Sequence, residues 1–379
     1  MGMIYADNAA TTRLSDAALE AMLLYLRDEY GNASTLYKLG RGAHKAIEDA
    51  RSVFARGINA MPAEIYFTSG GSESDNWAIK GTAHRLAAQG KRHIVTDNIE
   101  HHAVLNSAKA LEKEGFDITY IKADADGVVR AEDVKAALRP DTALVSVMFA
   151  NNELGTIQPV SEIGRACREA GVLFHCDAVQ AAGILPIDVK AMDIDLLSMS
   201  AHKFHGPKGV GILYARRGCV PPVYIDGGEQ ERGHRAGTEN VAGIVGAAAA
   251  FSEAMLEREN KALRLSSMRD RIQTELLKIP GSQVNGGSVP RLPGTLNMSF
   301  DGIDGQSLIF ALDLKGVATS SGSACASGSL SPSHVLLALG LPYSLAHGSL
   351  RLSLGKYNTE DEIDEIVRAV TDAVGELRD

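Results

Sequence analysis

Apolar, β-favouring runs recur at 64–68, 93–96, 117–121, 143–148, 171–176, 195–199 and 210–214. Helix-patterned stretches alternate with them, which predicts an α/β fold with a mostly parallel, seven-stranded sheet covered by helices. Helical spacing is plain elsewhere too. Ser15 precedes Ala18, Leu19, Met22, Leu23 and Leu26, with Gly31 as the expected stop. From 238 to 278 an Ala-rich and then charged stretch predicts a long, bent helix that joins a large domain to a smaller one. Strands near 296–300, 316–319 and 349–353 belong to the smaller, α+β unit. Its last helix opens on a capping box of Thr359 and Glu362, and Ile363, Ile366, Val367, Val370 and Val374 make its apolar face. The expected division is 16–253 for the large domain and 1–15 with 254–379 for the small one.

The polar residues at the ends of these runs carry the chemistry. Ser69-Gly70-Gly71-Ser72-Glu73 comes after the first, His101-His102 after the second, and Asn151-Asn152-Glu153 after the fourth. Asp177 and Gln180 come after the fifth, and Ser200-Ala201-His202-Lys203 after the sixth. Five strand ends thus bring Ser, His, Asn, Asp, Gln and Lys to one edge of the sheet, where ligands of open α/β folds collect.

Composition narrows the partners. With 38 basic and 47 acidic side chains the formal net charge is −9, which argues against nucleic acid or an anionic membrane. The start, Met1-Gly2-Met3-Ile4-Tyr5-Ala6-Asp7, lacks a basic region followed by an apolar core, and no apolar run reaches membrane-spanning length, so a cytoplasmic location is expected. The four cysteines, Cys167, Cys176, Cys219 and Cys325, form no CxxC pair, so neither a disulfide framework nor a structural zinc site is expected. Cys167 and Cys176 fall in apolar stretches and read as buried small hydrophobes. Cys325 instead sits in a run of small polar residues, 318–329, where an accessible thiol could react. A flexible linker with an incidental cysteine is the alternative.

Several of these residues invite specific chemistry. A lysine desolvated beside other cationic groups can act as a nucleophile toward a carbonyl, and Lys203 is flanked by His202, His205 and Lys208. Gly70-Gly71-Ser72 opens a helix, whose free N–H groups favour a phosphate, although such a turn is as often only a helix start. Asp177 directly after a buried strand calls for a cationic partner, either a protonated ring nitrogen or an internal salt bridge. His101 suits stacking and proton relay, or a structural role. Arg351, inside the apolar stretch Leu350-Arg351-Leu352, is suited to fork a carboxylate or to an internal ion pair.

Together these segments resemble the cysteine desulfurases of the NifS/IscS type, in the class V aminotransferase group of fold type I pyridoxal phosphate (PLP) enzymes. The likeness runs through Tyr5-Ala6-Asp7-Asn8-Ala9-Ala10-Thr11-Thr12, Phe67-Thr68-Ser69-Gly70-Gly71-Ser72-Glu73-Ser74-Asp75-Asn76, Glu100-His101-His102-Ala103-Val104, Asn151-Asn152-Glu153-Leu154-Gly155 and Asp177-Ala178-Val179-Gln180. It continues through the Lys203 segment, Arg235-Ala236-Gly237-Thr238-Glu239-Asn240, Ser321-Gly322-Ser323-Ala324-Cys325 and Arg351-Leu352-Ser353-Leu354-Gly355. The resemblance implies that Lys203 holds PLP as a Schiff base, that Asp177 pairs with the pyridine nitrogen, and that Gln180 and Asn152 lie near the ring's phenolic oxygen. His101 would stack on the ring and assist proton transfer. Gly71, Ser72, Ser200 and His202 would bind the phosphate, joined by Thr238 of a second subunit, which implies a homodimer. Arg351, with Asn152, would bind the substrate.

The implied reaction converts L-cysteine to L-alanine and leaves its sulfur on Cys325 as a persulfide. An iron–sulfur scaffold or another sulfur-acceptor protein would then take the sulfur. No intrinsic metal site is implied, only transient ligation of an iron–sulfur cluster by Cys325. The chain stops at Glu376-Leu377-Arg378-Asp379, short of the tail by which housekeeping relatives engage a scaffold, so the acceptor stays open. Two other readings compete. An aminotransferase or β-lyase would need Lys203 alone, and a sulfur-carrier scaffold would need no cofactor.

Overall fold

The computed structural model describes residues 2–322 and 331–378, so Cys325 lies outside the described residues. After the short strand β1 (Ile4–Tyr5), seven strands build the main sheet: β2 (Ile65–Thr68), β3 (His93–Asp97), β4 (Asp117–Ile121), β5 (Thr142–Ser146), β6 (Leu173–Asp177), β7 (Leu196–Ser200) and β8 (Gly211–Ala215). Their order is β2-β8-β7-β6-β5-β3-β4. The neighbours from β7 to β4 pair in parallel, and β8 runs antiparallel to both β7 and β2. The carboxyl ends of β2, β3, β5, β6 and β7 therefore share one edge.

Alternate side chains serve opposite faces of the sheet. Phe67, Val95, Val145, Phe174, Leu197 and Ile212 join one core. Tyr66, Ile94, Leu144, Leu196 and Leu213 join another on the far side. Burial on both faces explains why the runs are almost wholly apolar.

Two boundaries differ from expectation for local reasons. The strand expected from 171 begins at Leu173, because Gly171 closes the preceding helix, Val160–Ala170, in the left-handed region (φ 66°). The run expected over 143–148 leaves the ladder after Ser146, although residues 147–150 stay buried.

A second core forms around β10 (Thr295–Phe300), which lies between β9 (Ser282–Val284) and β12 (Ser349–Ser353) in an antiparallel sheet, while β11 (Val317–Ala318) pairs in parallel with β1. Its interior joins Met268, Ile272 and Leu276 to Ile363, Ile366, Val370 and Val374. The helix Val241–Leu276 serves both units. Ile244, Ala247 and Phe251 lie in the first core and Leu265, Met268 and Ile272 in the second. Its 36 residues span ~54 Å. Asn240 caps it by accepting from the Gly243 N–H at 3.0 Å.

Two helix signals need correction. The helix after Ser15 is Asp16–Arg27, with Ser15 accepting from the Ala18 N–H, and it stops before Gly31. Gly31 is glycine because Leu39 presses on it; a Cβ there would lie 2.5 Å from the Leu39 carbonyl carbon. The final helix is Glu362–Glu376 with Asp361 at its cap, so Thr359 contributes only its N–H to Glu362 Oε2, at 3.1 Å.

The amino-terminal strap ties the units together at the shared edge. Asn8 N–H donates to the Ser353 carbonyl (3.0 Å) and Ala9 N–H to Ser353 Oγ (2.9 Å). Thr12 N–H then reaches the His202 carbonyl (2.9 Å) beside the last strand of the parallel set.

A buried ion pair secures β2. Arg51 forks Glu231 through Nη1 at 2.8 Å and Nη2 at 3.1 Å, and Glu231 also accepts from the Phe67 N–H at 3.0 Å. Removing one member leaves an uncompensated buried charge, so Glu231→Ala is expected to lose about 3–5 kcal/mol of stability. Denaturant unfolding measures this, and a loss under about 1 kcal/mol, the scale of an exposed pair, would contradict it.

Candidate active site

The strand ends open into a solvent-open cleft with about 750 Å³ of empty space. Its walls combine Gly71, Ser72, His101, Asn152, Asp177, Gln180, Ser200, His202, Lys203 and Arg351. Ten of the twelve residues singled out from the sequence therefore converge in one place. Thr238 does not line the cleft and is exposed, and Cys325 lies outside the described residues.

Lys203 ends the turn Ala201–Lys203 that succeeds β7. Its Nζ donates to the carbonyls of Ala9 (2.5 Å) and Ala10 (2.8 Å). Gln180 Nε2 also donates to Ala9 O, at 3.1 Å. The strap thus supplies the acceptors that hold the amine in the cleft, a role the side-chain chemistry of Ala9 and Ala10 could not announce. On its far side Lys203 borders a second cavity of about 610 Å³, lined by Ile184, Phe204, Leu265 and Leu292. That cavity shares only Lys203 and Gln180 with the candidate set.

Asp177 closes β6 at the cleft floor. Its Oδ1 accepts from the Val179 N–H at 2.9 Å. Burial drives its pKa up to about 6, opposed by that N–H and by Lys203. His101 caps the helix His102–Lys113, and its Nδ1 accepts from the Ala103 N–H at 3.1 Å. That bond places the proton of the neutral ring on Nε2. Burial first, then Lys203, His102 and His334, lower its pKa to about 4. His202, whose Nδ1 lies 3.1 Å from Thr11 Oγ1, is lowered to about 4 by burial, Lys203 and Lys208.

Arg351 is almost wholly buried in β12. Nη2 donates to Asp7 Oδ1 at 2.7 Å and Nη1 to the Asn152 carbonyl at 3.0 Å, while Nε has no partner. The internal ion pair foreseen as one alternative is therefore present, and the Nε–H has no partner among the described residues.

The cofactor implied by the resemblance suits this donor set. Asp177 offers a desolvated carboxyl to a ring cation, Lys203 an amine to a carbonyl, and the Gly71–Ser72 end a surface for an anion. Glycine is required at 71, since a Cβ there would sit 2.7 Å from Val179 Cγ2. Sequence reasoning missed Asp75 and Asp7. Asp75 also lines the cleft, and its only signal is an acidic residue one helical turn beyond Ser72.

Known proteins share this arrangement. The family model described as "Aminotransferase class-V" matches residues 4–366. The "Cysteine desulfurase IscS" of Methanosarcina thermophila is 50% identical over 375 residues, covering 99% of this chain and 93% of that protein. Among solved structures, a "NIFS-LIKE PROTEIN" superposes with a TM-score of 0.93 at 40% identity, covering 99% of this chain and 100% of the other. "SspA in complex with cysteine" superposes with a TM-score of 0.83 at 37% identity, covering 94% and 100%.

The histidines make the cofactor-free protein sensitive to acid. Between about pH 4 and 6.5 the unfolded chain binds protons that folded His101 and His202 refuse, so their contribution to stability rises with pH across that window, against the opposite contribution of buried Asp97 and Asp177. His101→Asn, which keeps a helix-capping side chain, is expected to flatten that rise. Urea unfolding at a series of pH values reads the slope, and equal slopes in both proteins would contradict the assignment.

Proposed function

The chain belongs to the class-V aminotransferases and, within them, to the cysteine desulfurases of the NifS/IscS type; from that premise we propose how its own residues convert L-cysteine to L-alanine and keep the sulfur as a persulfide. The observation that carries this reading is the convergence of Lys203, Asp177, His101 and Arg351 on one cleft. Lys203 would hold pyridoxal phosphate covalently. Asp177 would face the ring nitrogen, Gln180 and Asn152 the phenolic oxygen, and Gly71, Ser72, Ser200 and His202 the phosphate. When bound, pyridoxal phosphate supplies an electron sink for the electron pair left at the substrate Cα.

The protein supplies orientation and proton traffic. Arg351, pinned by Asp7 and Asn152, turns its unpartnered Nε–H to the carboxylate of the amino acid. His101 is neutral near pH 7 and carries its proton on Nε2, so it can stack on a flat ring and both give and take a proton. With its amine free in the cleft, Lys203 would move the Cα proton. The relative solved with cysteine bound has the same fold and supports cysteine as substrate.

The sulfur step needs a thiolate. Cys167, Cys176 and Cys219 are buried, outside the cleft, and burial raises each of their pKa values, that of Cys167 to about 12. They stay thiols, which leaves Cys325 as the nucleophile. Its sulfur bonds to the substrate sulfur, the C–S bond breaks with its electron pair kept on carbon, and that carbon takes a proton to give alanine. An iron–sulfur scaffold or another acceptor protein then receives the outer sulfur atom, and Cys325 could ligate a nascent cluster in passing.

Two further assignments rest on coarser support. Thr238 and the apolar Val223, Tyr224 and Ile225 are exposed on one connection, which suits a homodimer in which Thr238 completes the partner's phosphate site. We divide the chain at 16–253 and at 1–15 with 254–379, because the helix Val241–Leu276 passes from one core to the other after Ala254. Unpaired thiols at Cys167, Cys176 and Cys219 agree with a reducing, cytoplasmic setting.

Cys325→Ala is expected to keep the cofactor's visible absorbance while sulfide and alanine production fall by about 100-fold or more, the scale of losing a covalent nucleophile. Sulfide release that survives the change would favour a β-lyase. Sedimentation equilibrium is expected to give twice the chain mass of 40.2 kDa. A single-chain mass would rule out the shared phosphate site.

A further inference from the structure

Beneath the candidate cofactor groups lie the buried carboxyls of Asp75, Asp97, Glu100 and Asp177. Asp75, on the helix Gly71–Asn76, lines the same cleft as Asp177 and is 1% exposed. Among the described residues neither of its carboxyl oxygens has a partner in good hydrogen-bond geometry, and only the nearby Ser198 hydroxyl favours its charged form, weakly against burial and Asp177. The imidazole of His175 lies close by, with Nε2 3.7 Å from Asp75 Oδ1. That ring is already engaged on both sides, by Ser146 Oγ at 2.9 Å and by Ser198 Oγ at 3.0 Å. Complete burial lowers its pKa to about 3, so it brings no positive charge.

The strands and the segment beneath Asp75 add acid or a neutral group, and the helix His102–Lys113, which packs against the Asp75 helix, carries its lysines, Lys109 and Lys113, at exposed positions. β6 brings His175, Cys176 and Asp177, and β7 brings Ser198. The segment after β3 brings Asp97 and Glu100, both fully buried. The lysine and arginine lining the cleft are Lys203 and Arg351, and each is engaged elsewhere, on the strap carbonyls and on Asp7. Two carboxyls in one desolvated cleft do not both ionise, because each charge raises the cost of the other. Asp177 has the Val179 N–H and the field of Lys203 to support a negative charge, and Asp75 has neither. Burial, and after it Asp177, push the Asp75 carboxyl well above the ordinary carboxylate range.

We propose that Asp75 is a positioning residue for the cofactor: it keeps its proton through the neutral range and so confines the cleft's negative charge to Asp177, opposite the ring nitrogen. The inference rests on the assignment of Asp177 as the ring's acidic partner. Its effect is electrostatic. With Asp75 neutral, Asp177 can ionise against a cation without a second charge beside it. With Asp75 ionised, the pair would repel and one of them would draw a proton back.

Infrared spectroscopy of the cofactor-free protein tests this without reference to turnover. Asp97 and Glu100 also have raised pKa values and add protonated-carboxyl C=O absorption to every variant, so the Asp75 band is read from the difference between wild type and Asp75→Asn near neutral pH, where it is expected to appear. In Asp177→Asn the same band is expected to titrate away at least about one pH unit lower, because the like charge that holds the proton is gone. A merely structural Asp75 would show no such shift. Asp75→Asn should bind pyridoxal phosphate within about threefold of wild type, since the charge is unchanged. A loss of about tenfold or more, the weight of one pKa unit of charge interaction, would overturn the proposal. So would a difference spectrum, wild type against Asp75→Asn, that holds no protonated-carboxyl band. Should Asp75→Asn not fold, the Asp177→Asn titration decides alone, and an unmoved band overturns the proposal. If Asp177→Asn bound the cofactor as tightly as wild type, the assignment of Asp177 would fail instead, while the band would still report on Asp75.

Discussion

A carboxyl kept from water at the end of β6 is the constraint on which the site is built. Asp177 is buried by the sheet and by the helix that starts at Gly71, and a charge there is stable only against a cation. The protein supplies Lys203, but places that amine on the carbonyls of Ala9 and Ala10 and leaves the Asp177 carboxyl to face the cleft. A ring that carries a proton on nitrogen and a carbonyl within reach of the amine meets both demands at once. The neutral state of His101 has the same origin, since Lys203 and burial together exclude a further positive charge.

The small unit contributes Arg351, and the geometry there depends on three segments far apart in the chain. β12 carries the guanidinium, the strap brings Asp7, and the loop after β5 brings the Asn152 carbonyl. An arginine held by two fixed acceptors has lost its rotamer freedom before any ligand arrives, which lowers the entropy lost when a carboxylate docks. Arg51 and Glu231 do comparable work under β2, where they steady the strand that leads to Gly71 and Ser72.

Much of this was legible in the sequence, and the reasons are specific. The seven strands of the large sheet stand out because both faces are buried, so few polar residues interrupt them. The polar residues at the ends of those strands identify the cleft because parallel topology sends them to one edge. Elements held by few or distant contacts were not legible. β1 has two residues and β9 has three, too few for any periodicity, and each exists only because a remote strand pairs with it. Gly31 carries the same signal as a helix stop, although it answers to Leu39 packing. The Ala9 and Ala10 carbonyls and the Arg51–Glu231 pair escape notice because backbone acceptors have no residue signature and partners 180 positions apart have no spacing rule. Asp75 shows how a buried acid in a helix passes for a surface residue until its neighbours are known.

The strap also sets an order of events during synthesis. Residues 4–12 leave the ribosome long before their partners at Val317, Ala318 and Ser353. Until then the Ala9 and Ala10 carbonyls have no frame to hold them against Lys203, and Arg351 has not been made. At ~5–20 residues per second, the large sheet has many seconds in which to form with its cleft unfinished. Capture of the vitamin-derived group is thus a step that comes after translation, and a nascent chain stalled before β12 would be a folded sheet without a working pocket.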